Sequence, residues 1–125
     1  MKNQTDARKQ AGAEDIDQLP RAVLVTVGAI GGKWKIPVIW LLWLRTRRFG
    51  ELRRALPGVT QHMLTATLRE LEADKLVSRT VFAEVPPRVE YALTERSLAL
   101  CDVFTAMQRW GERIEVGFGA IPKPP

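Results

Sequence analysis

The chain reads as a mainly α fold with a small β-hairpin, and three observations lead there. Leu64, Leu68 and Leu71 recur at i, i+4 and i+7, the spacing of a helix with one buried side. After Leu76 the period drops to two in "VSRTVFAEV" and "RVEYAL", β-rich runs on either side of Pro86 and Pro87, as a hairpin requires. From Thr94 to about Arg113 a last helix carries Leu98, Cys101, Phe104, Met107, Trp110 and Ile114 on one stripe, widened by Leu100 and Val103.

The elements follow in order. Residues 1–19 are polar and mixed in sign, either a mobile arm or a frayed helix. Pro20 suits a first helical turn, and "RAVLVTVGAI" continues it until Gly31 and Gly32. A second helix runs from about Lys33 or Trp34 to Leu44, with Pro37 tolerated in its first turn. Phe49, Leu52 and Leu56 mark a short third helix stopped by Pro57 and Gly58, and Thr60 is a suitable N-cap for the helix of the three leucines. The chain divides as an arm (1–19), one domain (20–114) and a loose, turn-rich tail (115–125).

A length of 125 residues supports one modest core and favours self-association to cover apolar surface. The single cysteine, Cys101, allows no internal disulfide, and the first residues lack the apolar centre of a signal peptide, so a cytoplasmic location is expected. "IPVIWLLWL", Ile36 to Leu44, is about half of a bilayer span, and no membrane role is expected. The net charge of +5 is local: Lys33 to Arg54 holds seven cations and one acid, Glu51. A concentrated basic patch on a balanced chain suits a polyanion, whereas a solvated helix face is its bland alternative.

"IGGKWK", Ile30 to Lys35, resembles a phosphate cradle, but the P-loop spacing fails at Val27 and at Trp34. The glycines then serve a joint between helices, with Lys33 and Lys35 at a helix start where backbone N–H groups favour an anion.

Helix, tight turn, helix and hairpin make a winged helix-turn-helix, whose second helix, about residues 61–74, fits a DNA major groove and whose wing, about 77–93, reaches a neighbouring groove or the backbone. With the leucines inward, a rotation of about 100° per residue leaves His62, Thr65, Ala66, Arg69 and Ala73 on the open face and Gln61 at its start. Gln61 can meet an adenine edge, Arg69 a guanine edge or a phosphate, and Thr65 a thymine methyl. His62 shares that face. Arg47, Arg48, Arg53 and Arg54 are placed for phosphate contact, and Arg88 at the wing tip for a minor groove or phosphate. Arg69 has a competing role, pairing with Glu70 or Glu72 along its own helix. Trp34, Trp40, Trp43 and Trp110 read as core or dimer contacts, and Cys101 as a small buried hydrophobe.

"IGGKWK", "RRFGELRRALPGVTQHMLTATLRELEADKLVSRTVFAEVPPRVEYALT" and "WG" at Trp110 resemble the HxlR-type bacterial winged helix-turn-helix transcriptional regulators, over roughly Pro20 to Gly111. The resemblance implies a homodimer held by the first and last helices, acting on two-fold operators as repressor or activator; the sequence leaves open whether a small-molecule effector binds. Members that sense oxidants carry a cysteine before the first helix; Leu19-Pro20 stands there, so thiol sensing by that route is not expected. Lys75 and Ser97 stand where glycine is common.

Two other classes stand beside the DNA-binding reading. A winged domain can serve as a protein-interaction module without DNA, through the acidic end from Glu70 to Asp74. An enzyme is not expected: the one histidine has no cysteine or carboxylate at metal spacing, and neither a serine elbow nor a cofactor loop appears, so no catalytic residue, metal or cofactor is assigned.

Overall fold

The computed structural model describes residues 15–118. The arm expected over residues 1–14 and the tail expected over 119–125 lie outside the described residues. The chain separates into two compact units between Gly31 and Gly32.

In the first unit a 3₁₀ turn, Ile16–Gln18, is capped by the Asp15 carboxylate, which accepts the Asp17 N–H at 2.9 Å. Helix α1, Arg21–Ile30, follows Pro20 and ends at Gly31. Glycine is required at that end, because a Cβ on Gly31 would collide with the Val27 carbonyl oxygen, and Gly32 has φ +94°. The "IGGKWK" glycines thus serve chain geometry. Only Ile30 of α1 is buried, and Val23, Leu24, Val25 and Val27 are all about half exposed or more.

The second unit contains α2 (Lys35–Leu44), β1 (Arg47–Arg48), α3 (Phe49–Ala55), α4 (Gln61–Ala73), β2 (Val77–Phe82), β3 (Arg88–Leu93), α5 (Glu95–Leu98) and α6 (Cys101–Phe118). Its core combines Val38, Ile39 and Leu42 of α2 with Leu52 and Leu56, the α4 leucines, and Leu76, Val77 and Tyr91. Leu64, Leu68 and Leu71 are 0–2 % exposed, so the stripe predicted from spacing is the buried one. Thr60 caps α4 as expected, its hydroxyl accepting the Met63 N–H at 3.0 Å.

The sheet has three antiparallel strands in the order β1-β3-β2, one more than the expected hairpin. The added strand is Arg47–Arg48, which pairs with Tyr91 and Glu90; two residues are too short for a period of two to register. The last helix also differs from expectation, since it is broken between α5 and α6. The Leu100 N–H turns back to the Ser97 carbonyl at 3.0 Å, an i→i−3 bond that tightens the chain out of the α pattern. Ser97 itself is fully buried and its hydroxyl donates to the Leu76 carbonyl.

Helix α4 ends in a Schellman motif. The Leu76 N–H bonds the Leu71 carbonyl at 2.9 Å and the Lys75 N–H bonds Glu72 at 3.0 Å, while Lys75 takes φ 60°. Lys75 therefore occupies a left-handed position suited to glycine. Thr94 does not cap α5 with its side chain; its hydroxyl donates to the Lys75 carbonyl at 2.6 Å, and its N–H to Leu76 at 3.1 Å. These bonds tie the end of α4 to the start of α5.

Two stability measurements check this account. Lys75→Gly removes a left-handed penalty of roughly 1–2 kcal/mol but adds unfolded-state freedom, so a net gain of up to about 1 kcal/mol is expected in denaturant unfolding. A loss would show that the lysine side chain matters more than its backbone. Thr60→Ala is expected to cost ~1 kcal/mol in the same measurement.

Candidate nucleic-acid interface

With its leucine side buried, α4 turns Gln61, His62, Ala66 and Arg69 outward, and Thr65 is partly exposed beside them. Gln61 and His62 stand at the N-terminal end, directly after the cap. The competing pairings of Arg69 are not formed, and Glu70 is engaged by Lys35. Its ammonium pairs with Glu70 at 3.1 Å, and Arg69 has no ion pair among the described residues, with Glu72 or any other acid.

The cations of the basic segment fall into two groups. Arg53 and Arg54 are exposed on α3 and, with Phe49, Gly50 and Gln61, line one shallow depression beside the start of α4. Arg48 is exposed on β1 immediately before α3, and Lys33 is exposed with its ammonium 5.0 Å from the Trp34 ring centre. The others are already engaged. Lys35 is 11 % exposed in its pair with Glu70, and the Arg47 Nε donates to the Leu41 carbonyl at 3.0 Å from a partly buried position.

Arg45 is paired as well, 2.8 Å from Glu51. The Arg48 backbone N–H, 3.1 Å away, is the main cause holding the Glu51 carboxyl below its ordinary range, with the Arg45 hydrogen bond next. Because the folded value is depressed, this contribution to stability is present above the ordinary carboxylate range and lost as pH falls through the lowered one.

Arg88 lies at the first position of β3 rather than free at the wing tip. Its guanidinium covers the Phe82 ring at 4.0 Å and stands 3.5 Å from Glu84 and 3.6 Å from Glu90. A nucleic acid would have to compete with those two carboxylates.

One cation absent from the sequence-derived set joins this surface. Arg79 of β2 is exposed and lines a depression with Thr65, Leu68, Arg69, Glu72 and Tyr91. The signal was available: alternation puts Arg79 on the same face as the buried Val77, where an arginine is unusual. Arg53 and Arg54 thus stand beside the start of α4 at Gln61, and Arg79 stands farther along it, beside Thr65, Arg69 and Glu72.

Cys101 departs from expectation, and the exposed tryptophans leave the dimer-contact alternative rather than the core one. Cys101 is exposed, at the start of α6, a helix in which none of the described residues is buried. It lines an open apolar groove of about 390 Å³ with Trp40, Trp43, Phe104 and Met107. Trp40 and Trp110 are 60 % and 59 % exposed and do not belong to the core of this unit. Among the described residues, no single helix is long and apolar enough to cross a membrane, and no group of histidine, cysteine and carboxylates has metal-binding geometry.

Known proteins share this arrangement. An uncharacterized HTH-type transcriptional regulator of Methanothermobacter thermautotrophicus is 47 % identical over 96 residues, covering 77 % of this chain and 73 % of the relative. The redox regulator HypR in its oxidized form superposes with a TM-score of 0.67 at 47 % identity, over 73 % of this chain and 94 % of that one. A structure described as a transcriptional regulator of MarR family from Enterococcus faecalis V583 gives a TM-score of 0.72 at 42 % identity, over 85 % of this chain and 94 % of that one. The fold is therefore that of winged-helix regulators. The family model described as HxlR-like helix-turn-helix matches residues 29–116, and the chain belongs to that family.

Proposed function

We propose that this chain is a sequence-specific regulator of transcription that binds double-stranded DNA as a homodimer, with α4 in the major groove and β2, β3 and their connection as the wing. The observation that carries the reading is the state of Arg69: exposed on the face opposite three buried leucines, and without an ion pair among the described residues. Arg69, Gln61, His62 and Thr65 read base edges, while Arg53, Arg54 and Arg48 contact phosphates from α3 and its start. Lys33 is a further phosphate contact. Lys35 and Arg47 act mainly by holding the fold, and Arg88 contributes only by exchanging its acidic partners. The acidic end suggested for a protein-interaction module is weakened as a docking patch, since Glu70 is paired.

Dimerisation runs through α1 and α6, the first and last helices. Support comes from the apolar side chains each presents to solvent: Val23, Leu24, Val25 and Val27 on α1, and Met107 and Trp110 on α6. Faces of this kind mark association surfaces. The functional domain extends over residues 20–114, and the cell compartment is the cytoplasm.

Two experiments test the reading. Fragments selected from genomic DNA by the purified protein define the site; Arg69→Ala then costs ~1–3 kcal/mol on that site and little on random duplex, whereas Arg53→Ala weakens both and flattens the salt dependence. Equal losses on both DNAs for Arg69→Ala would remove it from base reading. Sedimentation of the wild type is expected to give a dimer, and Trp110→Glu to shift it toward monomer; a wild-type monomer at all concentrations would refute the assembly.

A further inference from the structure

The depression between α4 and the sheet has a composition that the base-reading face does not explain. Thr65, Arg69 and Glu72 line it from the helix, and Arg79 and Tyr91 from the strands. We propose that this depression binds one phosphodiester of the duplex backbone, with Arg79 as the principal ligand. The assignment rests on the DNA-binding reading above and adds to it a second phosphate clamp, in a depression separate from the one that Arg53 and Arg54 line.

Register and burial support it. Arg79 and Tyr91 are cross-strand partners, and Arg47 is the partner of Tyr91 on its other side, so the three residues form one row across the sheet. Arg47 is bonded to Leu41, but Arg79 is exposed and has no ion pair among the described residues. Tyr91 is only 9 % exposed, and its hydroxyl has no hydrogen bond among the described residues. The ring is buried while the hydroxyl stays open to the depression, where it can donate to an acceptor from outside the chain.

An oxyanion meets both requirements. A guanidinium fork matches phosphate oxygens bidentately, and the Tyr91 and Thr65 hydroxyls are further donors. The one acid in the lining is Glu72, which forms no ion pair with Arg69 or Arg79, so the two guanidiniums leave an excess of positive charge. An open depression of this kind holds a free anion weakly. A duplex already seated on α4 presents its phosphate at high effective concentration, which favours the backbone as the source.

The test uses the full chain and the duplex selected from genomic DNA. Arg79→Ala is expected to weaken selected and random duplexes by a similar factor, roughly tenfold, and to reduce the slope of log affinity against log salt by about 0.9. A scan of single neutral methylphosphonates should then find one position that weakens the wild type but not Arg79→Ala. Tyr91→Phe should show a smaller loss confined to that position, with circular dichroism confirming the fold. Wild-type affinity and slope in Arg79→Ala, or equal methylphosphonate sensitivity in both proteins, overturns the clamp while the Arg69→Ala result leaves base reading intact. Failure of the wild type to bind any duplex overturns both. Saturable, Arg79-dependent binding of inorganic phosphate to the DNA-free protein, without an effect of Arg79→Ala on duplex binding, reassigns the depression to a free anion and overturns the backbone assignment.

Discussion

The burial of Leu64, Leu68 and Leu71 is the constraint on which the remainder of the surface depends. Three leucines at 0–2 % exposure allow α4 one rotation about its axis, because turning the helix by one residue would expose apolar side chains and bury Arg69. The cost of either change exceeds what a surface ion pair returns. Side-chain packing inside the domain therefore decides which groups face outward. Lys35 adds a second restriction, since its ammonium is largely covered and fixes Glu70 away from its neighbour.

The end of α4 is as consequential as its rotation. With Lys75 in the left-handed region, the chain reverses and β2 starts at Val77, two residues later. The strand therefore begins against the helix it has just left, with Val77 buried and Arg79 two residues on, alongside Thr65 and Arg69. Hydrogen bonds from Thr94 and Ser97 to the Lys75 and Leu76 carbonyls hold this corner from the other side. Backbone geometry at one residue thus sets the spacing between helix and sheet.

Much of this was legible in the sequence, for identifiable reasons. Periodicity located α4, the hairpin and α1, and local chemistry located the Thr60 cap and the glycine ends, because each depends on neighbours in the chain. What was hidden depends on contacts between distant positions. The strand at Arg47–Arg48 exists through pairing with Tyr91 and Glu90, more than forty residues away by numbering. The break after Leu98 accompanies a serine bonded to Leu76, and Cys101 lies exposed on the helix that follows it. Alternation places Arg79 on the face of the buried Val77, but that Thr65 and Arg69 of α4 lie beside it depends on packing between distant segments.

The partners of Lys35, Arg45 and Arg47 change what the basic segment can do at long range. A carboxylate neutralises Lys35 and another neutralises Arg45, while Arg47 is turned inward to a carbonyl. Of the seven cations between Lys33 and Arg54, fewer than the linear count are free to displace condensed counterions from a polyanion. The ionic-strength response of such a surface is set by its uncommitted guanidiniums, not by its formal charge.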